Sequence, residues 1–405
     1  MNASLLAFGD MMNDVVNYFA NFETATDGCR TVALWLAIAL LIAFAVTKLV
    51  LWRTAPAEGT DARQKKANRI ALFTLLGYAA AAIITFAACY FSDVAKGEES
   101  LVPITFYPLL VFAVAAVAGG FAVALKPVKA VKTAAVSVAG AALIAAIVCL
   151  IVYYSSGAAG EWNGVENDPG NSAAMYICAI ALTAAIIGAS FFADRTKGFD
   201  TRAITFGGVC IALSFALSYI RIIRMPMGGS ITLASLLPLM LYSYMFGCKK
   251  GLVAGVVYGF LQAIQDAWIL HPAQFVLDYV TAFMAIALTG CLRNVPALKG
   301  RMRTQFALGG TIAGVTRYLS HFFSGVFAFG VFGADYAEEY GISALANPYF
   351  YSFVYQSLYI IPEMIIVIAV GTLLLSSGNL RREIMRYGEF EKPAAPQTQQ
   401  AGSNA

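Results

Sequence analysis

The sequence predicts an all-α polytopic membrane protein with about eleven transmembrane helices. Its 405 residues are 60% hydrophobic and only 12% charged, whereas a soluble domain is about half apolar and about a quarter charged. The mean hydropathy is +0.71. The apolar residues gather in runs of about 20, the length that an α-helix needs to cross the hydrocarbon core.

The predicted spans differ in length and in how closely they can pack. The seventh is short and contains Pro238, which predicts a tilted or broken helix. Gly251, Gly255 and Gly259 recur every four residues in the eighth, a spacing that lets helices approach closely. The predicted spans are 31–52, 70–92, 101–125, 131–154, 172–193, 203–224, 231–247, 252–270, 273–292, 305–330 and 349–377.

Lysine and arginine residues predict the orientation of these spans. With the N-terminus outside, most of the 27 basic residues fall on the inner side, and only Arg30 and Lys96 lie in clearly outer loops. The outer loops carry carboxylates instead, among them Asp93, Glu161 and Glu338. The positive-inside rule therefore predicts a multi-pass protein of the cell membrane, with the N-terminus outside and the C-terminus inside.

The loop "ADRTKGFDTR" (193–202) is the predicted boundary between two membrane regions. Residues 1–30 are expected to form a short amphipathic outer segment, and 31–200 a five-span region of unknown role. Residues 203–377 are expected to form a six-span module that binds its ligand without the first 200 residues. The low-complexity tail, 379–405, is expected to be disordered in the cytoplasm.

Polar residues at membrane depth are concentrated in the six-span module. A charge at the centre of a spanning helix costs roughly 2.5–3.5 kcal/mol, so such a residue faces a cavity, a partner or a ligand. At about 1.5 Å per residue, Asp278 lies about 7 Å inside the ninth span and His321 about 14 Å from the outer end of the tenth. With nearby aromatic residues, they predict an outer pocket for a small polar ligand such as a cation. The polar set is Gln262, Gln265, Asp266, Gln274, Asp278, Arg317, His321, Gln356 and Glu363.

Structural roles also fit these residues one by one, and the residues alone leave these alternatives open. Asp278 can form an ion pair with Arg317, which lies four residues before His321 on the same helix face. His321 can be a satisfied core histidine. Glu363 fits a helix kink or a contact with a neighbouring helix, and aromatic residues near the interface fit a membrane belt.

Several classes of function lack their sequence signals. There is no G-x-x-x-x-G-K-[ST] phosphate loop, no H-E-x-x-H zinc motif and no G-x-S-x-G nucleophile motif. The 7 cysteines and 2 histidines show no metal-ligand spacing. We therefore expect no resident cofactor, no metal site and no nucleic-acid partner.

Three stretches of the six-span module resemble a known family. They are "GGSITLASLLPLMLYSYMFGCKKGLVAGVVYGFLQAIQDAWILHPAQFVLDYVTAF", "RYLSHFFSGVFAFG" and "YFYSFVYQSLY". They are similar to the thiamine-specific substrate-binding (S) component of energy-coupling factor transporters. The resemblance implies a six-helix protein that captures the vitamin from outside and depends on a membrane coupling subunit and two cytoplasmic ATPases. Residues 1–200 lie outside it.

The resemblance also implies roles for individual residues. The substrate-binding positions correspond to Asp278, Tyr279, His321, Tyr351, Gln356, Trp268, Tyr258 and Phe329. Ala212 and Ala216 fit the small-residue face by which such proteins dock on the coupling subunit. Asp278 replaces a glutamate and Gln356 an asparagine, so a thiamine precursor or analogue is an alternative ligand. Phe329 replaces a stacking tryptophan, which weakens stacking but keeps it.

Three other functions remain as alternatives. An ion-coupled secondary transporter of a small cationic metabolite would use Asp278, His321, Arg317 and Glu363 as a proton relay. A membrane enzyme would use His321 as a base oriented by Asp278, but no nucleophile motif accompanies them, so we expect no enzymatic activity. A purely structural role fits best the first five spans, which lack buried charge.

Overall fold

The structure is a computed structural model that describes residues 60–97, 102–162, 165–194, 196, 198–266 and 268–390, with positions 32, 33, 36 and 40. The predicted outer segment 1–30, most of the first predicted span and residues 391–405 lie outside the described residues.

Helices make up most of the described chain, and two short antiparallel hairpins join β1 to β2 and β3 to β4. The helices are α1 (Thr60–Lys96), α2 (Pro103–Leu125), α3 (Lys129–Ser155), α4 (Pro169–Ala193), α5 (Thr201–Ser218), α6 (Leu237–Phe246), α7 (Cys248–Asp266), α8 (Pro272–Gly290), α9 (Met302–Phe327), α10 (Gly333–Tyr340), α11 (Pro348–Leu374) and α12 (Gly378–Tyr387). The strands are β1 (Glu161–Trp162), β2 (Val165–Glu166), β3 (Arg221–Arg224) and β4 (Ser230–Thr232).

The helices confirm the predicted all-α polytopic membrane fold class. Within the described residues, seven are long and apolar enough to cross a membrane, namely α1, α2, α3, α4, α5, α8 and α11. α7 and α9 coincide with the eighth and tenth predicted spans but carry more polar side chains. α6 coincides with the seventh and has only 10 residues.

A hairpin shortens the sixth and seventh predicted spans. α5 ends at Ser218, and the residues predicted to continue it form β3, which pairs with β4. Gly228 and Gly229 in the turn have φ of +84° and +82°, in the left-handed region that residues with a side chain rarely adopt. The predicted ends at residues 224 and 231 are therefore wrong, because a glycine turn and paired strands replace helix there.

Contacts within the chain divide it into two compact units, residues 1–153 and 154–405. α4, the fifth predicted span, therefore belongs to the second unit, where it packs against α7, α8 and α9. The Thr183 and Thr281 hydroxyl oxygens are 2.7 Å apart and share one hydrogen bond between α4 and α8. The predicted boundary at 193–202 thus lies inside the second unit, and α4 is an additional helix of the bundle.

Glycines on α7 allow α7 and α8 to lie backbone against backbone in the second unit. A Cβ at Gly255 would overlap the carbonyl oxygen of Phe283, and a Cβ at Gly259 would overlap that of Tyr279. The close approach predicted from this glycine repeat is confirmed. It fixes the position of α8, the helix that carries Asp278.

The segment predicted as a disordered tail from residue 379 begins instead with a helix, α12. Ser377 caps its N-terminus by accepting a hydrogen bond from the Leu380 N–H, and Ile384 is buried. Glu389 just beyond the helix forms an ion pair with Lys250 of α7. The cap, the buried side chain and the ion pair hold this part of the tail against the bundle.

We predict that Gly255→Ala lowers the apparent melting temperature of the detergent-solubilised protein. The added methyl group must displace the Phe283 backbone, and overpacking of this kind costs about 1–3 kcal/mol. Gly208→Ala on α5 is the matched control, because its Cβ would meet no atom within 4 Å. Thermal unfolding of the two variants side by side gives the comparison; equal melting temperatures would contradict the close approach.

Candidate functional site

α8 changes its hydrogen-bonding pattern at the carboxylate that the sequence singles out. It is π-helical over Val276–Thr281 and ends as a 3-10 helix over Ala285–Gly290. Such π-helical turns often occur at functional sites. His271 caps the start of α8, where its Nδ1 accepts a hydrogen bond from the Ala273 N–H at 3.0 Å. Burial lowers the pKa of His271 to about 4, so the neutral ring accepts this bond at neutral pH.

Asp278 lies at the centre of a polar cluster inside the bundle. Its Oδ1 is 2.8 Å from Nδ1 of His321 on α9. Its Oδ2 accepts hydrogen bonds from Ser324 Oγ and Gln274 Nε2, each at 2.7 Å. These three contacts compensate the carboxylate for the water that it loses at membrane depth. When Nδ1 carries the His321 proton, Nε2 of the neutral ring is left as an acceptor.

The loop before α8 folds back onto the helix through two side chains. Gln274 donates from Nε2 to the Trp268 carbonyl at 3.0 Å and accepts from the Leu270 N–H at 3.1 Å. The Tyr279 hydroxyl accepts a hydrogen bond from the Trp268 N–H at 3.0 Å. These bonds hold Trp268 at the rim of the cavity, where its side chain is 44% exposed.

One cavity in the second unit brings together all the substrate-binding positions that the resemblance implies. Its lining includes Asp278, Tyr279, His321, Tyr351, Gln356, Trp268, Tyr258 and Phe329. Tyr258 lies deepest among the aromatic members at 1% exposure. Positions predicted to share one depth in the membrane therefore converge on one space.

Three tyrosines one helical turn apart form an aromatic wall along α11. The ring centroids of Tyr351 and Tyr355 are 5.7 Å apart, and those of Tyr355 and Tyr359 are 6.1 Å apart. The Tyr359 hydroxyl donates to Gln356 Oε1 at 2.7 Å. This bond orients the Gln356 amide, so the wall presents both π faces and a fixed polar group to the cavity.

The β3–β4 hairpin covers part of the same cavity. Its turn is held by the Tyr355 hydroxyl, which accepts from the Met227 N–H and donates to the Gly228 carbonyl, both at 3.0 Å. At the base of the hairpin, Arg221 forms an ion pair with Asp266 at the end of α7. The hairpin, α7 and α11 are therefore connected around the opening.

A buried ion pair lies at the inner end of the cavity, but it is not the pair considered from the sequence. Arg317 Nη2 is 3.3 Å from Glu363 Oε2, and Glu363 Oε1 also accepts a hydrogen bond from Thr232 Oγ1 at 2.8 Å. The structural alternative of an Asp278–Arg317 pair is therefore wrong, because Glu363 of α11 lies against the guanidinium. Arg317 Nε and Nη1 are buried without a hydrogen-bond partner among the described residues.

Several residues that contact Asp278 or line the cavity were not assigned to the site from the sequence. Ser324 is one, although it follows His321 by three residues and so lies on the same helix face. The residues of the hairpin, from Met227 to Ser230, are others. Helical periodicity was the missing signal for Ser324. The hairpin residues lay partly within and partly between predicted spans, and no pattern in the sequence indicated that they contact the site.

Ala212 and Ala216 lie apart from the cavity on an exposed face of α5. The buried residues of α5 are on its other side, namely Ala203, Gly207, Ser214 and Ser218. A Cβ at Gly208, one turn before Ala212, would meet no atom within 4 Å. The face is therefore small and unobstructed within the second unit.

The arrangement offers groups of the kinds that bind small nitrogenous molecules. A carboxylate, an imidazole nitrogen and an amide face a space walled by tyrosines, and aromatic faces favour cations. Among the described residues, no group of three or more His, Cys, Asp or Glu side chains could hold a metal ion.

Comparisons with known proteins show the family to which the chain is similar. The family profile "Thiamine transporter protein (Thia_YuaJ)" matches residues 204–381. The thiamine transporter ThiT of Bacillus subtilis (strain 168) is 32% identical over 159 residues, which are 38% of this chain and 78% of the relative. A solved structure of ThiT from Listeria monocytogenes has 21% identity and a TM-score of 0.37, over 44% of this chain and 95% of that one. By its sequence match to the family profile and to the Bacillus relative, the chain belongs to the thiamine transporter family, whose members are transport proteins rather than enzymes.

Proposed function

We propose that this protein is the substrate-capture component of a vitamin importer of the energy-coupling factor type. It binds thiamine or a close relative from outside the cell in the cavity around Asp278. Separate coupling and ATPase subunits supply the energy for transport. The observation that carries the proposal is a hydrogen-bonded carboxylate facing an aromatic-walled cavity in a chain of this family.

The charges around the cavity favour a ligand with one positive charge. The lining contains two arginines, and each lies against its own carboxylate: Arg221 against Asp266, and Arg317 against Glu363. Among the described residues, Asp278 is the lining carboxylate that has hydrogen-bond donors but no arginine or lysine beside it. At 4 Å from a cation, and an effective dielectric constant near 20, it gains about 4 kcal/mol.

The side chains around Asp278 also favour a planar ring with polar edges. His321 Nε2 and two Arg317 nitrogens are buried without partners among the described residues, and a heterocycle with both donors and acceptors would satisfy them. Tyr351, Tyr355 and Phe329 would stack on its faces. Aspartate in place of glutamate and Gln356 in place of asparagine leave a thiamine precursor or analogue as a second ligand within this proposal.

The proposed orientation and partners complete the function. The N-terminus lies outside and the C-terminus inside, as the positive-inside rule predicts, so the cavity around Asp278 opens outward. The chain carries no phosphate loop, hence the proposed ATPase partners. The exposed face of α5 with Ala212 and Ala216 is the proposed docking face for the coupling subunit.

An ion-coupled secondary transporter of a small cationic metabolite is the second candidate. The buried Arg317–Glu363 pair favours it, because ionisable pairs at membrane depth occur in proton relays. The two candidates differ in their energy source.

We predict that Asp278→Asn weakens thiamine binding by more than about tenfold, or about 1.4 kcal/mol. The substitution removes the negative charge and turns an acceptor toward its neighbours into a donor. Asp335→Asn, an exposed carboxylate on α10 outside the cavity, is the control. Titration of the purified protein by aromatic fluorescence quenching gives the affinities, with riboflavin and biotin alongside. Tighter binding of either vitamin would contradict thiamine as the ligand.

We also predict that the two parts of the N-terminal region differ in their effect on binding. Deleting residues 1–153 should leave the thiamine affinity within about twofold, less than 0.5 kcal/mol. Deleting residues 1–200 should weaken it further, because α4 packs on α8 and shares the Thr183–Thr281 hydrogen bond beside Asp278. Thr183→Val in the full chain isolates that bond. Equal affinities of the two deletions would show that α4 does not support the site.

Finally, we predict that uptake stops when ATP is depleted and continues when an uncoupler collapses the proton gradient at constant ATP. Vesicles containing this protein with the coupling and ATPase subunits, loaded or not with ATP, allow both measurements. Loss of uptake with the uncoupler alone would favour the secondary transporter, since a proton relay depends on the gradient.

A further inference from the structure

An apolar groove runs between α4 and α7 of the second unit, apart from the cavity around Asp278. It has a volume of about 510 Å³ and is lined mainly by Ile187, Phe191, Phe199, Lys249, Val253 and Val257. None of these residues lines the cavity around Asp278. α4 lies outside residues 204–381, which match the family profile, so the groove exists only because the extra helix packs on the bundle.

The length and polarity of the groove fit the hydrocarbon of one leaflet. From Lys249 to Val257 the lining covers about 12 Å of α7 at about 1.5 Å per residue. Half of a hydrocarbon core of about 30 Å is about 15 Å. Val253 is 50% exposed and Phe191 is 59% exposed. Within the second unit, this face of the groove is therefore not fully covered by other residues.

A lysine stands at one end of the apolar walls. The Lys249 ammonium nitrogen is 4.8 Å from the centroid of the Phe191 ring, and it forms no ion pair within the described residues. Its neighbour Lys250 is already paired with Glu389. The adjoining loop "ADRTKGFDTR" carries three basic residues and two aspartates in sequence, and so adds a net charge of +1. The positive charge is therefore at the end where a lipid headgroup would lie.

We propose that this groove binds one anionic phospholipid, with an acyl chain along α4 and α7 and the headgroup phosphate on Lys249. Basic pockets between transmembrane helices on the cytoplasmic side bind anionic headgroups, and positive residues at this end match the inner leaflet. The lipid fills the gap between α4 and α7 and so fastens the extra helix to the bundle. The proposal is independent of the ligand of the main cavity.

Native mass spectrometry of the full-length protein tests it, with phosphatidylglycerol and phosphatidylcholine offered in equal amounts. The wild type should retain phosphatidylglycerol about fivefold better than phosphatidylcholine, the factor expected for one lysine near an anionic lipid. Lys249→Gln should abolish the preference and Lys249→Arg should keep it. Val253→Trp, which fills the groove at an exposed position, should lower retention of both lipids.

Lys299→Gln is the matched control, because it removes the same charge from an exposed loop outside the groove and should behave as the wild type does. The proposal fails if Lys249→Gln keeps the preference, if Val253→Trp retains lipid as the wild type does, or if the wild type holds both lipids equally. It also fails if a photoreactive phosphatidylglycerol labels no peptide containing Phe191 or Val253, which would point to a protein segment in the groove instead.

Discussion

The second unit is organised around the need to satisfy one carboxylate at membrane depth. Asp278 is costly there unless other groups replace its water. Ser324 and Gln274 donate to it, and His321 lies within hydrogen-bonding distance. These donors come from α8 itself and from α9, so the helices that carry them cannot separate or rotate without leaving the carboxylate unsatisfied.

The cluster divides the buried charges of the site into two kinds. Arg317 and Glu363 neutralise each other at the inner end, whereas Asp278 is held by groups that need not carry charge. A cation entering the cavity would therefore be attracted to Asp278 and not to the neutralised Arg317–Glu363 pair. This contrast gives the proposed ligand a direction, with its positive end away from the inner ion pair and its neutral, hydrogen-bonding end near Arg317.

The sequence predicted the fold class, most helix positions and part of the cavity lining because these have strong local signals, whereas Tyr258 was assigned only through the family resemblance. Long apolar runs mark spanning helices, and Gly255 with Gly259 marks a close helix contact. The hairpin between α5 and α6 was missed because Ile222 and Ile223 read as part of an apolar run. The partner of Arg317 was missed because pairing between α9 and α11 depends on the relative rotation of two helices, which periodicity does not give. The packing of α4 on the bundle likewise depends on tertiary contacts such as Thr183 with Thr281.

The π-helical segment Val276–Thr281 rotates the side chains of one half of α8 around the helix axis relative to those of the other half. In a regular α-helix each residue turns by about 100°. The direction of the side chains at one end of the helix therefore fixes their direction at the other end. The wider turn lets the N-terminal part of α8 aim Asp278 at α9 while Phe283, after the segment, packs its backbone against Gly255 of α7. Loss of one residue from this segment would restore a regular helix and swing the carboxylate away from His321. The number of residues in this segment is therefore constrained as strictly as the identity of its side chains.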